Sequence, residues 1–158
     1  MKTLVVYYSY EGNTELIAKT ISDTYHFDCI SIKPVKEMKS KGFAKYVWGG
    51  GQVVMKIVPK IEPINVNLDD YDFIIIGSPI WAGTYAPPIR SFIESTHCIN
   101  KRIGYFYTHL GGAELAEKRA TQVFNKQNTL VSCLGLMNVS DHPEESKIQA
   151  IEWVKSIL

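Results

Sequence analysis

Short runs of apolar residues alternate along the chain with longer stretches in which apolar positions recur every three or four residues. Residues 3–8 (TLVVYY) are a run of β-formers that ends at Ser9 and Gly12. Residues 71–77 (YDFIIIG), 102–108 (RIGYFYT) and 129–136 (TLVSCLGL) are three more, and 29–32 (CISI) is a shorter one. Such runs are nearly continuous rather than strictly alternating, which is the pattern of strands covered on both faces.

The stretches between them read as helices. Residues 13–24 carry Ile17 and Ile21 on one stripe, and 88–95 place Ile89, Phe92 and Ile93 together behind Pro88, a residue suited to a first helical turn. Residues 113–124 align Ala116, Ala120, Val123 and Phe124. Residues 144–158 align Ile148, Ile151 and Val154 after Pro143 and two glutamates that favour a helix N-terminus. Residues 42–57 keep a stripe of Phe43, Val47, Val54 and Ile57 through Gly49, Gly50 and Gly51, each costing roughly 1 kcal/mol in a helix interior. That pattern predicts a helix that breaks or kinks at the glycines, where close packing is the plainer explanation. Strand–helix alternation predicts one parallel sheet with helices on both faces and right-handed crossovers: five strands and about five helices in a single domain over 1–158.

Composition narrows the classes. With 158 residues, 46% hydrophobic and 21% charged, the chain has the makings of one well-buried core. A formal net charge of +1 excludes a general nucleic-acid binder, which carries a basic excess. Cys29, Cys98 and Cys133 are odd in number and far apart, with no zinc spacing, so free thiols in a reducing cytoplasm and no metal are expected. The N-terminal run is a poor signal peptide, and no apolar segment approaches a membrane span of roughly 18–20 residues.

Three segments carry candidate chemistry, each where a strand turns toward a helix. Ser9, Tyr10, Glu11, Gly12, Asn13 and Thr14 join short side-chain donors to a helix N-terminus. They suit an anion held by neutral donors, and equally an ordinary N-cap turn. Residues 77–88 include Ser78, Pro79, Ile80, Trp81, Ala82, Gly83 and Tyr85. Trp81 there is either a flat apolar wall at a sheet's carboxyl edge or a cover on the end of the core. Thr108, His109, Leu110, Gly111 and Gly112 let backbone come close to a ligand, and His109 is a donor, a titrating group or a plain loop residue. All three would meet at one edge of the same parallel sheet. No nucleotide fingerprint, P-loop, metal cluster or nucleophile elbow accompanies them.

Together these segments resemble the flavodoxin family. Ser9–Thr14 is similar to its phosphate loop, Gly77–Pro88 to its first isoalloxazine loop, and Thr108–Gly112 to its second. The resemblance spans the chain and matches the short-chain form, lacking a long insertion in the last strand. It implies a flavodoxin-like α/β fold, a doubly wound five-stranded parallel sheet of order 2-1-3-4-5 with helices on both faces, and FMN as cofactor. Carried over, Ser9, Asn13 and Thr14, with the backbone N–H groups of Tyr10 to Thr14, would hold the phosphate. Pro79, Ile80, Trp81, Ala82 and Gly83 would flank the ring, and Thr108, His109, Gly111 and Gly112 would meet its pyrimidine side. Two departures stand out: Glu11 replaces the family's usual hydroxyl residue, and His109 with Leu110 replace a stacking tyrosine.

The function this implies is electron transfer between redox partner proteins, a reductase donor and an acceptor, with no catalytic side chain and no nucleic acid or membrane partner. An NAD(P)H-dependent FMN or quinone reductase on the same fold is the alternative, with Tyr10, Trp48, Tyr85 and His109 lining a substrate pocket. A flavin-binding regulatory module is the third reading. Tyr46 and Trp48 fall off the packing stripe of residues 43–48 and suit either core cover or a docking surface.

The net charge hides a split. Between Lys33 and Lys60, seven lysines against Glu37 leave that segment at +6; the other 10 basic and 15 acidic residues leave −5. The acidic remainder suits steering toward basic partners, while the basic crossover suits a solvated face.

Overall fold

The computed structural model of the chain describes residues 1–36, 58–96 and 98–158. The helix expected over 42–57, the three glycines within it, Tyr46, Trp48 and most of the basic crossover lie outside the described residues.

The apolar runs become β1 (Thr3–Tyr7), β2 (Asp28–Ser31), β3 (Phe73–Trp81), β5 (Arg102–His109) and β6 (Thr129–Met137). They form a parallel sheet of order β2-β1-β3-β5-β6, with β4 (Thr84–Tyr85) pairing antiparallel to the end of β3. With that short hairpin strand set aside, the order is the expected 2-1-3-4-5. Among the described residues the α-helices are α1 (Asn13–Tyr25), α2 (Pro87–Ser95), α3 (Ala116–Phe124) and α4 (Pro143–Ile157).

Alternation along each strand divides the core in two. Val5, Tyr7, Phe73, Ile75 and Phe106 pack on one face with Ile17, Ala18 and Ile21 of α1 and Ala150, Trp153 and Val154 of α4. Leu4, Val6, Ile74, Ile76 and Tyr105 pack on the other with Ile89 and Phe92 of α2 and Ala116, Ala120 and Phe124 of α3. The central strands are sealed on both sides, whereas β2 and β6 are only half-buried because they form the sheet's edges. Two glycines make room for rings on the strand beside them. Gly77 is paired with Phe106 and Gly135 with Tyr107, and each ring lies over the bare Cα of its partner.

Two expectations are corrected. The stripe proposed for the last helix fails at Ile148, which is 57% exposed; the buried positions are Ser146, Ala150, Trp153, Val154 and Ile157. Spacing of three alone drifts round a 3.6-residue helix, and the small residues Ser146 and Ala150 mark the true face. Residues 78–81, read as loop, continue β3: the ladder to β5 runs on through Pro79, opposite Thr108. Among the described residues no helix is long and apolar enough to cross a membrane, and the three cysteines are not joined by disulfides.

Candidate functional site

The carboxyl ends of β1, β3 and β5 open on a common cavity of about 310 Å³. At the end of β1 the chain passes through Ser9 to Gly12, which caps α1 with φ 96°, a left-handed angle that glycine adopts without Cβ strain. Ser9 Oγ accepts the Gly12 N–H at 3.1 Å and closes this turn. No side chain caps α1 itself. Its first-turn N–H groups, which have no intrahelical acceptor, therefore remain the positive end of a 13-residue helix. Asn13 and Thr14 line the cavity at that end.

Thr14 also ties this corner to β5. Its Oγ1 lies 2.8 Å from Thr108 Oγ1, and both hydroxyls are buried. One hydroxyl donates to the other, so one hydroxyl hydrogen of the pair is left over for a further acceptor.

At the end of β3 the buried Ser78 accepts the Ala86 N–H at 2.9 Å and donates to the Pro79 carbonyl at 2.8 Å. These bonds fold the chain into the hairpin Trp81-Ala82-Gly83-Thr84, with Trp81 opposite Thr84 and Ile80 opposite Tyr85. Trp81 packs on the core cluster and lines the cavity, so both roles open to it are filled at once. Tyr8 and Tyr10 meet the indole edge-on, with centroids 5.8 and 6.0 Å away. Contacts of that geometry hold the indole at a fixed tilt.

At the end of β5, His109 Nδ1 accepts the Gly111 N–H at 3.2 Å, which requires that nitrogen to be unprotonated. Burial holds the imidazole below its ordinary value, opposed by the Glu114 carboxylate. The His109 carbonyl accepts the Asn138 N–H at 2.9 Å, which carries the next residue, Val139, into the cavity wall.

Fourteen of the fifteen residues singled out from the sequence line this cavity: Ser9, Tyr10, Glu11, Asn13, Thr14, Pro79, Ile80, Trp81, Ala82, Gly83, Thr108, His109, Gly111 and Gly112. The fifteenth, Gly12, is the cap behind them. Leu110, quoted within the third segment, lines it as well, and Val139 is an addition. Nothing in the sequence near Val139 marks it, because it reaches the cavity through a backbone bond to β5 rather than through a motif. Tyr85, a candidate pocket residue of the reductase alternative, is instead 4% exposed and packs with Phe124 in the core.

The lining is chemically graded. Neutral donors collect at the α1 end, while Ile80, Trp81 and Val139 supply apolar surface elsewhere. Among the described residues that line it, Glu11 alone is a carboxylate and none is lysine or arginine. A Cβ built on Gly12, Gly111 or Gly112 would meet no atom within 4 Å, so bare backbone fronts open space there. Such a cavity can take a phosphate ester at the helix end and a flat ring against the tryptophan.

A doubly wound parallel sheet with this cavity beyond its strand ends defines the class of α/β proteins that bind nucleotide-like ligands at a switch in strand order. A family model described as Flavodoxin matches residues 2–157, and the chain belongs to that family. Solved structures agree on the fold. A flavoprotein from Lactobacillus acidophilus NCFM, determined in complex with FMN, is 22% identical with a TM-score of 0.75, over 89% of this chain and 97% of that one. A Bacteroides uniformis protein provisionally described as a flavoprotein is 26% identical with a TM-score of 0.81, over 98% of this chain and 97% of that one. Oxidised flavodoxin 1 from Bacillus cereus is 17% identical with a TM-score of 0.58, over 98% of each chain.

Proposed function

We propose that the chain binds FMN in this cavity and carries electrons between redox partner proteins. The observation that carries the reading is the convergence of a helix N-terminus with no side-chain cap and a tryptophan wall on one cavity. The N–H groups at the start of α1, with the side chains of Ser9, Asn13 and Thr14, hold the phosphate through neutral donors. Trp81 flanks the isoalloxazine, and the bare backbone at Gly111 and Gly112 approaches its pyrimidine side. When bound, the flavin supplies reversible electron exchange, and the protein's share is binding, orientation and exclusion of water. While neutral, His109 accepts the Gly111 N–H, and so holds the turn that follows β5 in one shape. Glu11 is an exposed carboxylate beside the phosphate end, and it weakens binding of a dianion.

A carrier is favoured over a reductase because Tyr85, one of the side chains a substrate pocket would use, is committed to the core. The acidic balance outside residues 33–60 suits steering toward a basic donor or acceptor. Titration of the purified protein with FMN, followed by flavin absorbance and fluorescence quenching, tests the cofactor; a protein that takes up no FMN refutes the reading. Stopped-flow reduction by a flavodoxin reductase tests the carrier role. Steady NAD(P)H oxidation with a quinone, in the absence of any partner protein, would replace it by the reductase.

A further inference from the structure

The wall of the cavity formed by Ala82 and Gly83 is held from behind. These are the two central residues of the β3–β4 hairpin turn, at φ 48° and 71°. Gly83 reaches the left-handed region freely, but Ala82 does so against its own Cβ. Strain of this kind persists only where the surroundings over-determine it. Arg119 of α3 provides that constraint: its Nη1 donates to the Ala82 and Gly83 carbonyls, at 2.9 Å each. The fit is tight, since a Cβ on Gly83 would lie 3.0 Å from the same nitrogen and 3.7 Å from the Gly112 carbonyl oxygen. Arg119 thus stands where two cavity loops adjoin. Ala82, Gly83 and Gly112 line the cavity, whereas Arg119 does not.

We propose that Arg119 is a positioning residue for the ring end of the cavity, an inference that rests on the FMN reading above. Its guanidinium is charged, so its hydrogen bonds are stronger than neutral ones, and the two hydrogens of Nη1 serve two successive carbonyls. The turn therefore keeps one shape before any ligand arrives, and a ring bound against it loses no affinity to ordering that wall. The phosphate end is built separately, on the Ser9–Gly12 turn and on Thr14 with Thr108, and shares none of these bonds.

The test is titration of the full-length apo protein with FMN and with riboflavin, which has the ring and no phosphate. Arg119→Met should weaken both ligands by the same factor, about tenfold, and Arg119→Lys should recover most of the loss. Loss of FMN affinity alone would mean that Arg119 acts as a distant charge on the phosphate, and would overturn the proposal. Unchanged affinity for both ligands would overturn it as well. Ala82→Gly removes the strain, so in that background Arg119→Met should fold and cost only about threefold; a full tenfold loss there would refute the positioning role. Wild-type protein that binds neither ligand would instead fail the FMN reading, before any substitution is compared.

Discussion

The hydroxyl pair Thr14–Thr108 couples the phosphate end of the cavity to β5, and a double-mutant cycle measures that coupling. The residues are 1% and 5% exposed and their oxygens are 2.8 Å apart. Thr14→Val or Thr108→Val keeps shape and β-branching but strands the surviving hydroxyl in a buried site. That costs about 1–3 kcal/mol for each single substitution. A loss near 2 kcal/mol lowers Tm by about 4–8 °C in a chain of this size. With both replaced, a well-packed apolar pair remains and no buried hydroxyl is stranded. The double variant should therefore retain about 1–2 kcal/mol relative to the sum of the singles. Urea titration of the apo protein, followed by far-UV circular dichroism with a common m-value, reads all three differences. Additive losses within about 0.3 kcal/mol would show that the two hydroxyls are not each other's partner in solution, and would refute the reasoning.

Three other perturbations follow from the geometry. Gly77→Ala drives a Cβ into the Phe106 ring and should destabilise by about 3 kcal/mol or more in thermal melts, with partial rescue by Phe106→Leu. His109 has its native value lowered by burial, so its contribution to stability is complete above the ordinary imidazole value near 6.5 and is lost as pH falls through the native value. Unfolding free energies measured between pH 7.5 and 5 should fall with acid by at most about 1.4 kcal/mol per pH unit from this group, and His109→Gln should flatten the slope. Glu11→Thr removes the carboxylate beside the phosphate end and should tighten FMN binding about threefold at low salt, a gain that shrinks as salt rises.

The central strands were legible because their runs of Val, Ile and aromatic residues must be covered on both faces, and nothing else in the sequence competes with that pattern. The cavity was legible because its residues cluster in three segments at strand ends, so that strand order alone brings them together. The hairpin at residues 81–84 was hidden by Pro79, which reads as a breaker yet is tolerated at the end of the β3–β5 ladder. Arg119 was hidden for a different reason. On its helix it is one polar position among several, and its two acceptors are backbone carbonyls 36 and 37 residues away, which carry no side-chain signature. Trp153 was missed because an exposed Ile148 offered a stripe of equal hydrophobicity on the wrong face, while its buried face includes the small residues Ser146 and Ala150.

The pairs Gly77–Phe106 and Gly135–Tyr107 do more than fill space. Each works as a key that turns in one alignment only. Sliding β5 by two positions along either neighbour, the smallest slip that leaves each side chain on its own face, would carry its ring off a bare Cα and onto a side chain, on one face for Phe106 and on the other for Tyr107. Three strands are thereby indexed to one another by sterics alone, independently of the hydrogen-bond ladder, which would tolerate a slip. The levels at which β3 and β5 deliver their loops are thus set within the sheet, and a cavity assembled from separate loops inherits its alignment from one glycine buried in β3 and another on the edge strand β6.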